Sequence, residues 1–136
     1  MTIFEKDFFK KFEFERKQIE RYFENALRDL KIAREDSFVE VRFTYCYQAL
    51  IKAGIALIAQ KGNVRIRAVP GHHLQILRKM SELLVDPDIL TIGDAMRMKR
   101  NRDLYSGGEF ISKKEVEDYL KFVEVAILKV KNIILR

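Results

Sequence analysis

No disulfide can form within this chain, because its 136 residues hold a single cysteine, Cys46. That residue lies in an apolar run and reads as a buried thiol, which suits a reducing compartment. Tryptophan is absent and histidine occurs twice, at His72 and His73. A zinc site would therefore need carboxylate ligands, and no metal or other cofactor is expected. The sequence has no Gly-rich phosphate loop, no C-x-x-C, no H-E-x-x-H and no G-x-S-x-G. It has no E-x-x-H pair either, which argues against a di-iron bundle. The most apolar stretch, 43–59, is interrupted by Gln48 and Lys52 and is short for a membrane span. A buried central helix is expected there, and no membrane partner. Only two prolines and six glycines interrupt the chain, so long regular elements are allowed.

Hydrophobic residues make up 48% and charged residues 34%, a globular balance in a chain long enough for a core of its own. One domain spanning 1–136 is expected. Acidic residues appear at once after Met1 and no apolar leader follows, so a cytoplasmic protein is expected. There are 26 basic and 20 acidic residues, a net charge of +6. That excess favours polyanionic partners, although solvated helix faces account for a charge of this size equally well.

Three pairs read as capping boxes: Thr2 with Glu5, Ser37 with Glu40, and Ser112 with Glu115. Asp86, Pro87 and Asp88 mark a fourth helix start. Gly62 and the pair Gly107 and Gly108 read as stops. The apolar spacing then predicts an all-α antiparallel bundle of about five helices, two of them long and N-terminal. Helix one is expected over 3–34, with Phe4, Phe8, Phe12, Ile19, Phe23, Ala26, Leu27, Leu30 and Ala33 along its apolar stripe. Helix two is expected over 38–61. Each would span roughly 35 to 50 Å, and a short turn at Glu35 and Asp36 forces them antiparallel. The phenylalanines at 4, 8, 9, 12 and 14 exceed one stripe and are either extra core under loops or a dimer contact. Val64, Ile66 and Ala68 alternate with Arg65 and Arg67 as in a strand. A lone strand has no partner, so 63–71 is expected as an extended loop. Helices three, four and five are expected over 72–84, 87–105 and 113 to the end. On helix three Leu74, Leu77, Met80 and Leu84 point inward. On helix five Val116, Leu120, Val123, Ile127, Val130 and Ile134 share one face.

The densest chemistry lies in helix four, where Arg97, Lys99, Arg100 and Arg102 fall within six positions. Asp94, Arg97, Asn101 and Tyr105 follow each other at spacings of 3, 4 and 4, so they share a face. A guanidinium, an amide and a phenol along one line suit a phosphodiester. A helix end rich in dipole-favoured cations gives the same pattern without any ligand. His72 and His73 open helix three behind Pro70 and Gly71, where the positive helix end favours neutral imidazole.

Taken together, the chain resembles the HEPN domains over nearly its whole length. The carriers are the apolar, aromatic second helix from Tyr45 to the Lys61 and Gly62 stop, the helix opening His72, His73, Leu74, the pair Arg100 and Asn101, and the capped acidic turn from Ser112 to Glu117. The resemblance implies a small antiparallel helical bundle that forms a homodimer with two signature helices facing across a cleft. It implies either a metal-independent ribonuclease, often a toxin paired with a small nucleotidyltransferase antitoxin, or a member that binds nucleotides or serves as an inactive scaffold. It makes Arg100 the phosphate-binding arginine and Asn101 its polar neighbour. The family's histidine is not carried over, since Tyr105 stands five residues after Arg100. Histidine near pKa 6.5 is matched to accepting a 2′-hydroxyl proton, whereas tyrosine near pKa ~10 is a poor base at neutral pH.

Three functions follow. One is a nucleic-acid or nucleotide-binding module using Arg97, Lys99, Arg100 and Arg102. Another is a ribonuclease with Arg100, Asn101 and Tyr105 as catalytic residues. The third is a helical dimerisation module without a ligand. The clustered arginines favour the first, and the missing histidine weighs against the second.

Overall fold

The structure, a computed structural model, describes residues 2–106 and 111–134, of which 103–106 as backbone alone. Five helices form an all-α bundle: α1 (Arg16–Glu35), α2 (Val39–Gly62), α3 (His72–Leu84), α4 (Pro87–Ser106) and α5 (Lys113–Ile134). Two short strands, β1 (Phe9–Lys11) and β2 (Val64–Ile66), pair antiparallel across one side.

The ribbon corrects two expectations. Helix one begins at Arg16 rather than Ile3, and 63–71 contains a strand. The missing partner was the phenylalanine-rich N-terminus, with Phe9 opposite Ile66, Lys10 opposite Arg65 and Lys11 opposite Val64. The physical reason lies in tertiary contacts. The Glu5 carboxylate, which would have closed the Thr2 capping box, instead pairs with buried Lys79 at 2.7 Å. The ladder continues as Phe12 N–H donates to the Asn63 carbonyl and Arg67 N–H to that of Phe8. Aromatic side chains suit a half-buried pleated surface, and here that fit overrides the helical spacing. Phe9 is buried, while Phe4, Phe8 and Phe14 pack against the core. Four of the five surplus phenylalanines are thus extra core of the same chain, and Phe12 packs on Phe14.

The helix termini divide in the same way. The Ser112 box forms, with Glu115 N–H donating to Ser112 Oγ at 3.1 Å and Ser112 N–H to Glu115 Oε1 at 3.2 Å. Asp86 caps α4 through Asp88 N–H at 3.1 Å. The Ser37 box does not form, because α2 starts one residue later and Phe38 N–H donates to Asp36 Oδ1. At the other end of α2 the left-handed residue is Asn63, at φ 49°, rather than Gly62. A Cβ on Gly62 would lie 2.7 Å from the Phe4 ring, so this glycine admits the N-terminal segment. The expected stop at Gly107 and Gly108 lies outside the described residues.

Helix α2 is central, with α1 lying along it and α5 and α3 packed on its other sides. The six expected α5 positions are all buried, as are Leu77 and Met80 of α3, whereas Leu27 of α1 is exposed. Cys46 is fully buried, and burial pushes its thiol up to about 12. Two glycines set how closely the last helices approach. A Cβ on Gly54 of α2 would meet Met80 Sδ and Ile76 Cγ2 of α3, at 2.5 and 2.6 Å. A Cβ on Gly93 of α4 would meet Leu77 Cδ2 of α3 at 2.6 Å. Backbones without side chains can close further, and this draws α3 against α2 and α4 along its middle, a turn or two on from His73. No helix of the described residues is long and apolar enough to cross a membrane.

Candidate functional site

The site is built on a turn. His72 N–H donates to the Val69 carbonyl at 3.1 Å, closing four residues with Pro70 second and Gly71 third. Gly71 sits at φ 81° and ψ 4°, the geometry that the third position of a type II turn requires. The same Val69 carbonyl lies 2.8 Å from His72 Nδ1. A carbonyl only accepts, so Nδ1 carries the proton, and the lone pair of a neutral ring is left on Nε2. The Pro-Gly turn thereby orients the imidazole as well as starting α3.

His73 points toward the interior. Its Nδ1 lies 2.9 Å from the Tyr47 hydroxyl of α2, and its ring centroid is 4.4 Å from that of His72. Burial pushes the His73 imidazole down to about 4, helped by the neighbouring His72 and by the positive charges of Arg100 and Arg97. It is therefore neutral at pH 7. Burial pushes the Tyr47 phenol up to about 12, against the opposing pull of Arg100 and Arg97. The Arg100 guanidinium stands 5.6 Å from the centroid of the Tyr47 ring, a cation–π contact.

Arg97, Arg100 and Asn101 of α4 line one cavity of about 680 Å³ together with His72 and His73. A second cavity of about 280 Å³ lies next to it and shares His73 and Arg100 as walls. Its floor is more apolar, with Tyr47, Ile51 and Ile55. Arg97 is held by Asp94 at 2.7 Å, which orients it and offsets part of its charge. Arg100 is half-buried and makes no ion pair among the described residues. A half-buried cation without a carboxylate is costly unless an anion is supplied.

The other sequence candidates lie apart. Lys99 turns to α5 and pairs with Glu115 at 3.2 Å, its side chain largely buried. It works there as a clamp between α4 and α5. Arg102 is exposed and is not among the residues lining either cavity. The side chain of Tyr105 lies outside the described residues. The sequence pattern missed Tyr47, whose place in an apolar run marks it as core. It also left the histidines unconnected to the arginines, because that connection is made only by α3 packing against α4. Among the described residues no group of three His, Cys, Asp or Glu side chains is placed to hold a metal.

Comparisons with protein-family models, with curated proteins and with solved structures found no match to this chain.

Proposed function

We propose that this chain is a HEPN-like module, dimeric, that binds nucleic acid or a nucleotide through the basic face of α4. The observation that carries the reading is the convergence of Arg97, Arg100 and Asn101 with His72 and His73 on one cavity. Arg100 supplies a planar fork of donors without a competing carboxylate, and Asn101 adds a neutral donor and acceptor. Neutral His73 adds no charge that would compete with the arginines for the anion. The dimer rests on the family resemblance alone, since the N-terminal phenylalanines pack within their own chain. Replacing Arg97 and Arg100 together by Ala tests the reading. Binding of single-stranded RNA should be lost while the helical circular dichroism persists, since exposed and half-exposed cations add little to stability. Unchanged affinity would assign these arginines to a solvated helix end.

A metal-independent ribonuclease is the second reading, favoured by one observation. The Val69 carbonyl fixes His72 in the tautomer whose Nε2 can accept a proton. In that reaction the 2′-hydroxyl gives its proton to His72 Nε2 and its oxygen attacks phosphorus. The 5′-oxygen leaves and takes a proton from water, giving a 2′,3′-cyclic phosphate. Tyr105 stays a candidate on its helical spacing from Arg97 and Asn101. His72→Ala and Tyr105→Phe separate the two, since a base is needed for cleavage but not for binding. Absence of cleavage by the parent protein in chelator would leave the binding reading alone.

A further inference from the structure

A third cavity, of about 460 Å³, opens beside the β1–β2 ribbon and is lined by Lys10, Arg65 and Arg67. It shares Ile55 with the apolar-floored cavity, which in turn shares His73 and Arg100 with the cavity of α4. The ribbon cavity also shares Ala68 with the cavity of α4, so the two basic depressions adjoin directly and the more apolar one lies beside both. We propose that single-stranded nucleic acid crosses the cleft these depressions form, with phosphates at the two basic ones and a base against Phe14 and Tyr22, which line the ribbon cavity. The inference rests on the reading of α4 as a phosphate site and extends it to a polynucleotide several residues long.

Lys10 and Arg65 are direct cross-strand partners, so their side chains share one face. Like charges opposite each other repel, and neither residue makes an ion pair among the described residues. The repulsion disappears if an anion binds between them. Both guanidiniums of β2 and its continuation are also positioned. Arg65 stands 5.5 Å from the Phe12 ring centroid, and Arg67 Nε donates to the Lys6 carbonyl at 2.9 Å. Oriented cations lose less freedom on meeting a phosphate than solvated ones. The aromatic wall of Phe14 and Tyr22 decides between single strand and duplex. A duplex keeps its bases stacked inside and offers only phosphates to such a cleft, whereas an unstacked base has an open face to lay on an aromatic and aliphatic surface.

The test uses a fluorescent single-stranded RNA of about eight nucleotides, within the site size of small single-strand binders. Uridine 5′-monophosphate serves as competitor and a duplex of the same length as comparison. Fluorescence anisotropy should show the single strand binding at least about tenfold tighter than either. In the variant Lys10→Gln with Arg65→Gln, single-strand affinity should fall and its salt slope flatten by about 1.4, for two lost phosphate contacts. Mononucleotide binding should persist in that variant through Arg100, and circular dichroism should confirm the helices. Equal affinity for mononucleotide and single strand, or an unchanged salt slope, would overturn the cleft and leave the α4 site standing. A duplex that binds as tightly as the single strand would overturn the role of the aromatic wall. If neither RNA nor mononucleotide binds the parent protein, the α4 reading fails and the cleft with it.

Discussion

The Tyr47 hydroxyl lies 2.9 Å from His73 Nδ1, and the Arg100 guanidinium covers the same tyrosine ring. One residue of α2 thereby touches functional candidates from α3 and α4. Gly54 and Gly93 let those helices close further along, where α3 presents Ile76, Leu77 and Met80. The geometry of the site is therefore sensitive both to the charges around it and to the packing beneath it.

The charges can be read from His73. Its imidazole should titrate near 4 in histidine NMR spectra, well below the ordinary 6.5. A depressed histidine contributes stability that is fully present above 6.5 and is lost as pH falls toward 4, because the unfolded chain binds the proton first. Arg100→Ala removes one of the charges that push the group down and should raise the midpoint. An unmoved midpoint would show that Arg100 does not face the ring.

The packing beneath can be tested at Gly54. Gly54→Val forces Met80 and Ile76 aside and should cost about 1–3 kcal/mol in denaturant unfolding, as overpacked cores do. It should also weaken RNA binding, since α3 carries both histidines. A neutral effect on unfolding would mean that α3 does not rest on this glycine.

At the N-terminus, the Glu5–Lys79 pair fastens the segment before β1 to α3, with Lys79 almost fully buried. Glu5→Gln leaves that ammonium without an anion and should cost about 1–3 kcal/mol. The hydrogen bond from Lys79 holds the Glu5 carboxyl below its ordinary 4.5. Its contribution is present above that value and fades as pH falls through the lowered one. The variant should accordingly lose the acid-dependent part of stability that the parent shows.

Val85 ends α3 in the left-handed region at φ 51°, where a β-branched side chain is strained, and it is 87% exposed. Val85→Asn should stabilise the protein by about 1 kcal/mol, since asparagine tolerates that conformation and no buried contact is lost. Equal or lower thermal stability would place the strain elsewhere.

Much of this fold was legible because it rests on local rules. The α5 stripe from Val116 to Ile134 repeats at helical spacing, and Ser112 and Asp86 cap helices through contacts within three residues. The failures are tertiary. Phe4, Phe8 and Phe12 keep helical spacing, yet 9–11 forms a strand because β2 offers it a ladder more than fifty residues away. Within the site, the α4 arginines were visible as a cluster and the histidines as a helix opening. Their meeting depends on two close helix approaches that no spacing encodes. Lys99 was indistinguishable from its neighbours until Glu115 was seen to take it.

The most direct measurement is amide chemical-shift mapping during titration with short single-stranded RNA. Saturable shifts should concentrate at His72, His73, Arg97, Arg100 and Asn101, residues from two helices that meet only in the folded chain. Shifts confined to the lysine- and arginine-rich outer face of α1, or no saturable shifts at all, would contradict the proposed site.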